Sequence, residues 1–137
     1  MANTFHLIIL TPYGRYFDGS VEFLQVQSDK YSLGILPGHA PLISTLVVSK
    51  MIIQMQGGNR YTYAIGGGII NVGKEKVTLI LDSVEREDEI DLTRANEAKK
   101  RAEERLNEAN KNSSIDKDRA LLAYARALNR IKIATKD

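Results

Sequence analysis

A change of composition near residue 86 constrains the fold of this chain more than any other feature. Residues 1–86 consist of short aliphatic and β-branched runs divided by turn residues, whereas residues 87–137 are rich in Ala, Glu, Lys and Arg. Apolar residues in the second part recur every three or four positions, which is the period of an amphipathic helix. The sequence therefore predicts an α+β chain, with a β domain at residues 1–86 followed by an α-helical domain at residues 87–137.

The first part carries eight runs with strand composition, and turn residues such as Pro12-Tyr-Gly14 and Pro37-Gly38 lie between them. No helix-length amphipathic pattern interrupts these runs, so β-α-β units are not expected. We therefore predict an antiparallel β-sandwich or flattened barrel. The eight runs are Phe5–Thr11, Val21–Gln27, Tyr31–Leu36, Leu42–Val48, Met51–Gln56, Tyr61–Ile65, Ile69–Val72 and Val77–Leu81.

A glycine triplet, Gly66-Gly-Gly68, invites comparison with phosphate-binding loops. Such a loop continues into Gly-Lys-Ser/Thr and a helix, whereas Ile69-Ile-Asn-Val72 follows here and has strand composition. We therefore expect a bend or bulge in which two backbones approach closely.

Neither histidine has the neighbours that an enzyme or a metal site requires. His6 lies in a strand run without Cys, Asp or a second His at ligand spacing, and His39 lies in a loop fixed by two prolines and two glycines. No nucleophile, metal-ligand set or pair of carboxylates can be assembled from the sequence, so an enzyme is not expected. The loop around His39 is interpreted as a rigid contact surface.

Charge and hydropathy limit the class of protein and the cellular location that the sequence predicts. The formal net charge of +2 is near neutral for 137 residues, there is no cysteine, and no apolar run is long enough to span a membrane. The first residues, Met-Ala-Asn-Thr, lack the basic and apolar regions of a signal peptide. We expect a soluble intracellular protein with no metal and no direct membrane insertion.

The second part is predicted to form two helices. Asp91 is the expected N-cap of the first helix, and the polar segment Asn110–Ser114 ends it. Ser114 or Asp116 can cap the second helix, and the short polar loop between the helices predicts an αα-hairpin. The apolar stripes are Leu92, Ala95, Ala98, Ala102, Leu106 and Ala109 on the first helix, and Ala120, Ala123, Tyr124, Ala127, Leu128 and Ile131 on the second.

These stripes consist mostly of alanine. An alanine buries about one methyl group, and each buried carbon contributes only about 0.8 kcal/mol. The hairpin is therefore predicted to open more readily than the β domain unfolds, which makes it a candidate switch.

Charged residues on the two helices are aligned. Arg119, Arg126 and Arg130 are seven and four residues apart, so they share one face of the second helix. Asp91 and Arg94 likewise share a face of the first helix. A solvated charged face and a binding site for a phosphate-bearing anion both account for this pattern, and the spacing alone leaves both open.

Three features together resemble the epsilon subunit of bacterial F-type ATP synthases: Gly34-Ile-Leu-Pro-Gly-His-Ala-Pro-Leu42, the glycines of Ala64-Ile-Gly-Gly-Gly-Ile69, and the order of β domain and hairpin. The resemblance implies a ten-stranded β-sandwich followed by two helices, in a non-catalytic subunit of the rotor's central stalk. It implies that the sandwich binds the gamma subunit and the c-ring, as a peripheral part of the synthase at the cytoplasmic face of the bacterial plasma membrane. The implied contact loop is Pro37, Gly38, His39, Ala40, Pro41 and Leu42.

One departure from this family concerns the loop that faces the c-ring. Many members have an acidic residue just before the Leu-Gly-Ile run, whereas Lys30-Tyr31-Ser32 precedes Leu33 here. A charge contact at this point therefore does not carry over.

The resemblance also implies a regulatory hairpin. In the family the hairpin either extends toward the catalytic beta subunits and blocks ATP hydrolysis, or folds down on the sandwich and releases the block. Some members bind ATP on the folded-down hairpin through an I/L-D-x-x-R-A motif, which this sequence matches. ATP is then a regulatory ligand that favours the non-inhibitory state, and no cofactor is required. The residues implied to bind ATP are Glu85, Ile90, Asp91, Arg94, Ala95, Arg119, Arg126 and Arg130.

The basic end of the chain has a second implied role. In the extended state it resembles the surface that meets an acidic segment of the beta subunit, with Arg126, Arg130, Lys132 and Lys136 as contact residues. The alternative function is a stand-alone ATP-sensing module, which would not associate with gamma. A nucleic-acid adaptor using the basic second helix is disfavoured by the Glu-rich first helix and the near-neutral net charge.

Overall fold

Residues 3–112 and 116–136 are described by the computed structural model, and the chain divides into two compact units, Met1–Glu87 and Asp88–Asp137. The first unit is built of strands and the second of two helices. The predicted α+β class, with the β part first, is confirmed.

Seven strands make up the described part of the first unit. They are β1 (Phe5–Thr11), β2 (Gly14–Gln27), β3 (Ser32–Ile35), β4 (Leu42–Met55), β5 (Arg60–Val72), β6 (Lys76–Leu81) and β7 (Val84–Arg86). Their order in the sheet is β1-β6-β5-β4-β2-β3, with β7 paired to β5, and a further pairing of β1 with β2 closes the sheet into a ring. A short 3-10 helix, Glu87–Glu89, follows β7.

Long strands flatten this ring into two layers. β2 pairs with β1 up to Val21 and with β3 and β4 beyond it, and a register shift marks the change. β5 pairs with β7 up to Ile65 and with β6 from Gly68 onward. Because each long strand passes from one set of partners to another, the predicted flattened barrel is confirmed.

The strand boundaries differ from the predictions in three ways. The predicted runs 42–48 and 51–56 join in β4, and the runs 61–65 and 69–72 join in β5, so the described residues form seven strands where the resemblance implies ten. The first half of β2 and all of β7 have no predicted counterpart, because their polar side chains obscure the strand pattern. One pairing, β1 with β6, is parallel, so the prediction of a wholly antiparallel sheet is wrong at this point. Parallel strands need a long connection between them, and here β2 to β5 provide it between β1 and β6, without a helix.

Strand alternation builds the core of the β unit. Inward side chains such as Leu7, Ile9 and Leu79 are fully buried, whereas their outward neighbours are not. Full burial of one such side chain stabilises the fold by about 1.5–3 kcal/mol relative to exposure. The largest fully buried side chains are Leu7, Ile9, Val21, Leu24, Val26, Ile35, Met51, Ile53, Ile65, Ile70, Leu79 and Leu81.

The glycine triplet lies where β5 approaches both of its neighbours closely. Gly67 has a φ of 92° and Gly68 a φ of 156°. A Cβ atom on Gly68 would lie 2.0 Å from the carbonyl oxygen of Ile80, and a Cβ atom on Gly67 would lie 3.3 Å from that of Leu46. The predicted close backbone approach is therefore confirmed.

The second unit consists of two helices, α1 (Leu92–Ala109) and α2 (Lys117–Thr135), which pack against each other as the predicted αα-hairpin. Small residues form the seam between them, and on each helix the two buried alanines are seven residues apart, or two turns. The buried alanines are Ala95 and Ala102 on α1 and Ala120 and Ala127 on α2.

Both helices begin with an aspartate cap. The side chain of Asp91 accepts a hydrogen bond from the backbone N–H of Arg94 at 3.1 Å. The side chain of Asp116 accepts one from the backbone N–H of Arg119 at 3.1 Å. Both predicted caps are confirmed, and Ser114, the alternative cap of α2, lies outside the described residues.

Two positions differ from the predicted apolar stripes. Leu92 is 40 % exposed, because it is the first residue of α1. Ile133 is buried at 7 % exposure, although the predicted stripe ends at Ile131. The predicted stripe of α2 describes one buried face and therefore does not include Ile133, which is buried near the end of the helix.

Candidate functional site

The start of α1 combines a helix cap with two opposite charges. The Oδ1 atom of Asp91 accepts the hydrogen bond from the backbone N–H of Arg94, and the backbone oxygen of Asp91 accepts one from Ala95 at 2.9 Å. Within the described residues Oδ2 of Asp91 makes no hydrogen bond, and the Arg94 side chain is exposed. One carboxylate oxygen can therefore cap the helix while the other accepts a hydrogen bond from a ligand.

The other residues implied around this motif differ in exposure. Ile90 is half-buried, and Ala95 is 3 % exposed and belongs to the seam of the hairpin. Glu85 is half-buried on β7, in register with Ala64 of β5. Glu85 belongs to the first compact unit, whereas Ile90 and Ala95 belong to the second.

A groove of about 430 Å³ opens between α1 and α2. Its floor consists of alanines, and its rim carries the carboxylate of Asp116 and the guanidinium groups of three arginines. In the part of the chain that the structure describes, none of the three arginines, Arg101, Arg105 and Arg119, forms an ion pair. Sequence reasoning missed two of them, Arg101 and Arg105, although their four-residue spacing beside the alanine stripe could have indicated them. The lining residues are Ala98, Arg101, Ala102 and Arg105 of α1 and Asp116, Arg119, Ala120 and Ala123 of α2.

The groove also establishes which parts of the two helices lie level with each other. Ala102 of α1 and Ala120 of α2 both line it, and the two packed helices are antiparallel because only residues 110–116 connect them. One step of seven residues along the seam leads to Ala95 on α1 and Ala127 on α2. These two alanines are therefore level with each other, about 10 Å from the first pair at a rise of about 1.5 Å per residue.

By this spacing, four of the predicted charged residues lie toward the same end of the hairpin. Arg126 immediately precedes the last alanine of the seam, and Arg130 lies about one turn beyond it. Asp91 and Arg94 lie at the same level on α1, at its start. Arg119 is separate from this cluster, because it lies in the groove about 10 Å back along α2.

The arginines of α2 differ in burial. Arg126 and Arg130 are half-buried and the Nε atom of Arg126 is fully buried, whereas Arg119 is exposed. Hydrogen bonds strengthen where water is excluded, and those between guanidinium groups and phosphate oxygens are charge-assisted. The end of the hairpin with Arg126 and Arg130 is therefore better suited to hold an anion than the position of Arg119.

The C-terminal turn of α2 adds further positive charge. Lys132 and Lys136 are exposed, and Lys136 adopts a left-handed conformation with a φ of 60° just after the helix. Cations near a helix C-terminus are favoured by the helix dipole. Together with Arg126 and Arg130 they make this end of the helix basic.

The loop between β3 and β4 is a hydrogen-bonded turn. The backbone N–H of His39 donates a hydrogen bond to the carbonyl oxygen of Leu36 at 3.1 Å. The imidazole Nδ1–H of His39 donates one to the carbonyl oxygen of Ala40 at 2.7 Å. These bonds and a φ of 82° at Gly38 give the loop a defined backbone conformation, and its role as a contact surface stays a prediction. Leu36, which is not among the implied contact residues, is 58 % exposed and extends the apolar surface. Of the implied contacts, Gly38, Ala40 and Pro41 are exposed, and Pro37, His39 and Leu42 are half-buried.

The turn between β2 and β3 is held by the buried Ser28. Its hydroxyl donates to the carbonyl oxygen of Tyr31 at 3.0 Å and accepts from the backbone N–H groups of Lys30 and Tyr31 at 3.2 and 3.1 Å. Asp29, Lys30 and Tyr31 are exposed at its tip. The four residues of β3 separate this turn from the loop that contains His39.

Metal-binding clusters and membrane-spanning helices are both absent from residues 3–112 and 116–136. No group of three or more His, Cys, Asp or Glu residues is arranged to hold a metal ion. No helix in these ranges is both long enough and apolar enough to cross a membrane.

Two family models match consecutive parts of the sequence. The model of the ATP synthase delta/epsilon chain beta-sandwich domain matches residues 4–87, and the model of the delta/epsilon chain long alpha-helix domain matches residues 88–135. The chain belongs to the ATP synthase delta/epsilon family. The resemblance drawn from the motifs is thereby confirmed.

Members of this family from bacteria match the chain over nearly its full length. It is 42 % identical over 134 residues to the ATP synthase epsilon chain of Desulforamulus reducens, which covers 98 % of this chain and 99 % of that protein. It is 40 % identical over 131 residues to the ATP synthase epsilon chain of Bacillus cytotoxicus, with 96 % of each protein covered.

Two solved structures of mitochondrial ATP synthases contain chains with a similar fold. A chain of the Euglena gracilis OSCP/F1/c-ring assembly matches with a TM-score of 0.78 at 16 % identity, covering 94 % of this chain and 80 % of that chain. A chain of the Tetrahymena thermophila central stalk/c-ring assembly matches with a TM-score of 0.52 at 17 % identity, covering 62 % of this chain and 68 % of that chain. At such identities the likeness concerns the fold alone.

Proposed function

We propose that this chain is the non-catalytic epsilon subunit of a bacterial F-type ATP synthase, in the central stalk that couples the catalytic head to the c-ring. The strongest support is the near-full-length similarity to bacterial ATP synthase epsilon chains, which extends over both units. The hydrogen-bonded loop with exposed Leu36 gives the β unit a contact surface of the kind that a docking subunit needs.

The proposed partners are the gamma subunit and the c-ring for the β unit, and the beta subunits for the hairpin. In this role the chain is a peripheral component at the cytoplasmic face of the bacterial plasma membrane. The Euglena assembly whose chain shares this fold contains F1 and a c-ring. The loop Pro37–Leu42 is the proposed contact with gamma and the c-ring.

ATP is the proposed ligand of the closed hairpin. The support for this part is an inference from helix spacing, which puts Asp91 and Arg94 on α1 and Arg126 and Arg130 on α2 toward the same end of the hairpin. Guanidinium groups bind phosphate oxygens in bidentate fashion, and the second carboxylate oxygen of Asp91 can accept from an amino group. A ligand that contacts both helices stabilises the closed hairpin by its binding free energy.

The other implied residues have supporting roles in this proposal. Ile90 and Ala95 provide apolar contact beside the charges, and Glu85 on β7 stays a predicted ATP-binding residue. Arg119 contributes least, because it lies about 10 Å along α2 from Arg126 at a rise of about 1.5 Å per residue.

The alanine seam makes the hairpin a switch. Four buried alanines supply little hydrophobic stabilisation, so the closed form depends on further interactions. When ATP is scarce the hairpin opens and extends, and its basic end meets an acidic segment of a beta subunit. The side chains proposed for this second contact are Arg126, Arg130, Lys132 and Lys136.

Reconstitution with the alpha, beta and gamma subunits of the same organism tests the proposal. We expect the full chain to bind through gamma, to inhibit ATP hydrolysis at micromolar ATP, and to lose this inhibition at millimolar ATP. Arg130→Gln should weaken both ATP binding and inhibition, whereas Lys50→Gln on β4 serves as a charge-matched control. Loss of ATP binding with inhibition intact at every ATP concentration would refute the dual use of the arginines. A stand-alone ATP sensor would bind ATP but not gamma.

A further inference from the structure

The groove between α1 and α2 gathers positive charge from both helices. Arg101 and Arg105 are four residues apart, so they are neighbours on one side of α1. Arg119 borders the same groove from the first turn of α2. Each guanidinium group presents several N–H donors in a rigid planar fork, and three such forks therefore border one cavity.

The three arginines of the groove keep their hydrogen-bonding capacity. All three are exposed, and among the described residues their guanidinium groups form neither ion pairs nor hydrogen bonds. Glu97 lies four residues before Arg101 on α1, yet the two make no ion pair. The carboxylate of Asp116 is engaged through Oδ1 by the backbone N–H of Arg119 at 3.1 Å. The donors that border the groove are therefore free for a ligand.

Closing the hairpin concentrates this charge. Three guanidinium groups less the one carboxylate of Asp116 leave a net charge of +2 around the groove. Two of the arginines belong to α1 and one to α2, so all three come together only while the helices are packed. Neighbouring like charges repel each other and disfavour this arrangement. An anion that contacts both helices removes the repulsion and stabilises the closed form by its binding free energy.

The size and lining of the groove limit which anion it can hold. Its volume of about 430 Å³ lies within the range of small-molecule sites, about 300–1,000 Å³. A condensed phosphate, in which two or three phosphoryl groups are linked, offers acceptor oxygens to several guanidinium forks at once. The first turn of α2 adds the positive end of a helix dipole. The alanines of the floor have no polar side-chain atoms, so the phosphate chain is the part of a ligand that this groove recognises.

We propose that the groove is a second anion site of the hairpin, which binds a di- or triphosphate group through Arg101, Arg105 and Arg119 and stabilises the closed form. It lies about 10 Å along the helices from the end proposed for ATP, at a rise of about 1.5 Å per residue. Because the groove is open to water, its affinity is expected to be millimolar and sensitive to salt. The site belongs to the hairpin itself and does not depend on the proposed role in the synthase.

A calorimetric titration of the isolated full chain with sodium pyrophosphate tests the proposal. We expect saturable binding that weakens as the salt concentration rises. Arg105→Gln and Arg119→Gln should each lower the affinity by about tenfold, as expected for the loss of a charged hydrogen bond. Lys117→Gln removes the same charge from an exposed side chain in the same turn of α2, outside the groove, and should keep the affinity.

Two further measurements distinguish a specific site from general screening of charge. Arg119→Lys keeps the positive charge but not the planar fork, so its loss of affinity should be smaller than that of Arg119→Gln. Pyrophosphate should also shorten the distances between spin labels on α1 and α2 in the unaltered chain but not in Arg105→Gln. A response that does not saturate, or equal losses in Arg119→Gln and Lys117→Gln, would overturn the proposal.

Titrations in the presence of ATP identify the source of the phosphate group. Pyrophosphate that binds at saturating ATP indicates a free condensed phosphate, whereas competition between the two, with weaker ATP binding in Arg105→Gln, indicates the phosphates of a nucleotide. Loss of pyrophosphate binding in Arg130→Gln, with normal binding in Arg119→Gln, would place the anion at the other end of the hairpin and overturn the proposal. Pyrophosphate binding without ATP binding would refute the ATP part of the proposed function and leave the groove site intact. ATP binding without pyrophosphate binding would do the reverse.

Discussion

The carboxylate of Asp91 accepts a hydrogen bond from the backbone N–H of Arg94 at 3.1 Å, as the first contact of α1. Asp116 and Arg119 repeat this arrangement at the start of α2 at 3.1 Å. The two aspartates are therefore equivalent as helix caps, but Asp91 lies at the end of the hairpin to which Arg126 and Arg130 are assigned by helix spacing, whereas Asp116 lines the groove. This difference makes Asp116 a matched control for Asp91.

Removal of either cap should destabilise the hairpin. Asp91→Ala and Asp116→Ala should each lower the stability of the hairpin by about 1 kcal/mol, because a helix N–H loses its acceptor. Asp91→Asn and Asp116→Asn should have little effect, since asparagine caps about as well as aspartate. Amide hydrogen exchange of α1 and α2 measures this change. An asparagine variant as unstable as its alanine counterpart would contradict the capping role.

A larger residue in the seam should separate the helices. Ala127 is fully buried, so Ala127→Leu adds volume where the helices meet and should destabilise the closed hairpin by about 1–3 kcal/mol. Ala123 is exposed, and Ala123→Leu should be tolerated. Distance measurements between spin labels on α1 and α2 report the separation. Unchanged distances in Ala127→Leu would show that the seam does not hold the helices together.

The close approach at the glycine triplet predicts a large effect on the β unit. Gly68→Ala places a Cβ atom 2.0 Å from the carbonyl oxygen of Ile80, so the strands must move apart. The expected cost is about 3 kcal/mol or more, from strain combined with lost packing. Gly58 also has a positive φ, of 96°, but a Cβ atom there meets nothing within 4 Å. Gly58→Ala should therefore cost only the backbone penalty of about 1–2 kcal/mol, and urea unfolding of the two variants compares them.

Much of the local structure follows from sequence patterns. The residues of β1 and both helix caps are predicted correctly, because alternation and capping are local effects. The continuity of β4 and β5 is not predicted, because Ser49-Lys50 and the glycine triplet have the composition of turns. Pairing with the neighbouring strand keeps both segments extended. The parallel pairing of β1 with β6 joins distant segments, and no local signal specifies it.

In the candidate site, too, local features can be predicted from the sequence and long-range ones cannot. Helical spacing predicts that Arg126 and Arg130 share a face of α2, and their position at the end of α1 that carries Asp91 needs the antiparallel packing. The same spacing groups Arg119 with them, although the packing places it beside Arg101 and Arg105 in the groove. The spacing of residues along one helix does not tell which residues of the other helix lie beside them.

Acid should weaken the interactions of Asp18 on the β unit. The hydrogen bond from His6 holds the pKa of Asp18 below its usual 3.8, and the charges of His6, Arg15 and Lys76 act in the same direction. A carboxyl group whose pKa is lower in the folded state adds stability above its unfolded pKa, and this stability is lost as the pH falls through the folded pKa. The free energy of unfolding should therefore decline below about pH 4 less steeply in Asp18→Asn than in the unaltered protein.

Chemical denaturation at a series of pH values measures this difference. Asp29→Asn, which removes an exposed carboxylate from the β2–β3 turn, is the matched control and should keep the full slope. Identical slopes for the unaltered chain and Asp18→Asn would mean that the bonds to His6 and Arg15 do not favour the ionised carboxylate in the folded state.

A calorimetric titration of the isolated full chain with ATP tests most directly whether the hairpin is closed by a ligand held between Asp91 and Arg94 on α1 and Arg130 on α2. The account predicts saturable binding at or below millimolar ATP. It also predicts a loss of affinity of about tenfold in Asp91→Asn and in Arg130→Gln, which corresponds to about 1.4 kcal/mol for a lost charged hydrogen bond. Asp116→Asn, with its equivalent cap at the other end of the hairpin, should bind ATP normally. Absence of heat from the unaltered chain at millimolar ATP, or equal losses in Asp91→Asn and Asp116→Asn, would contradict it.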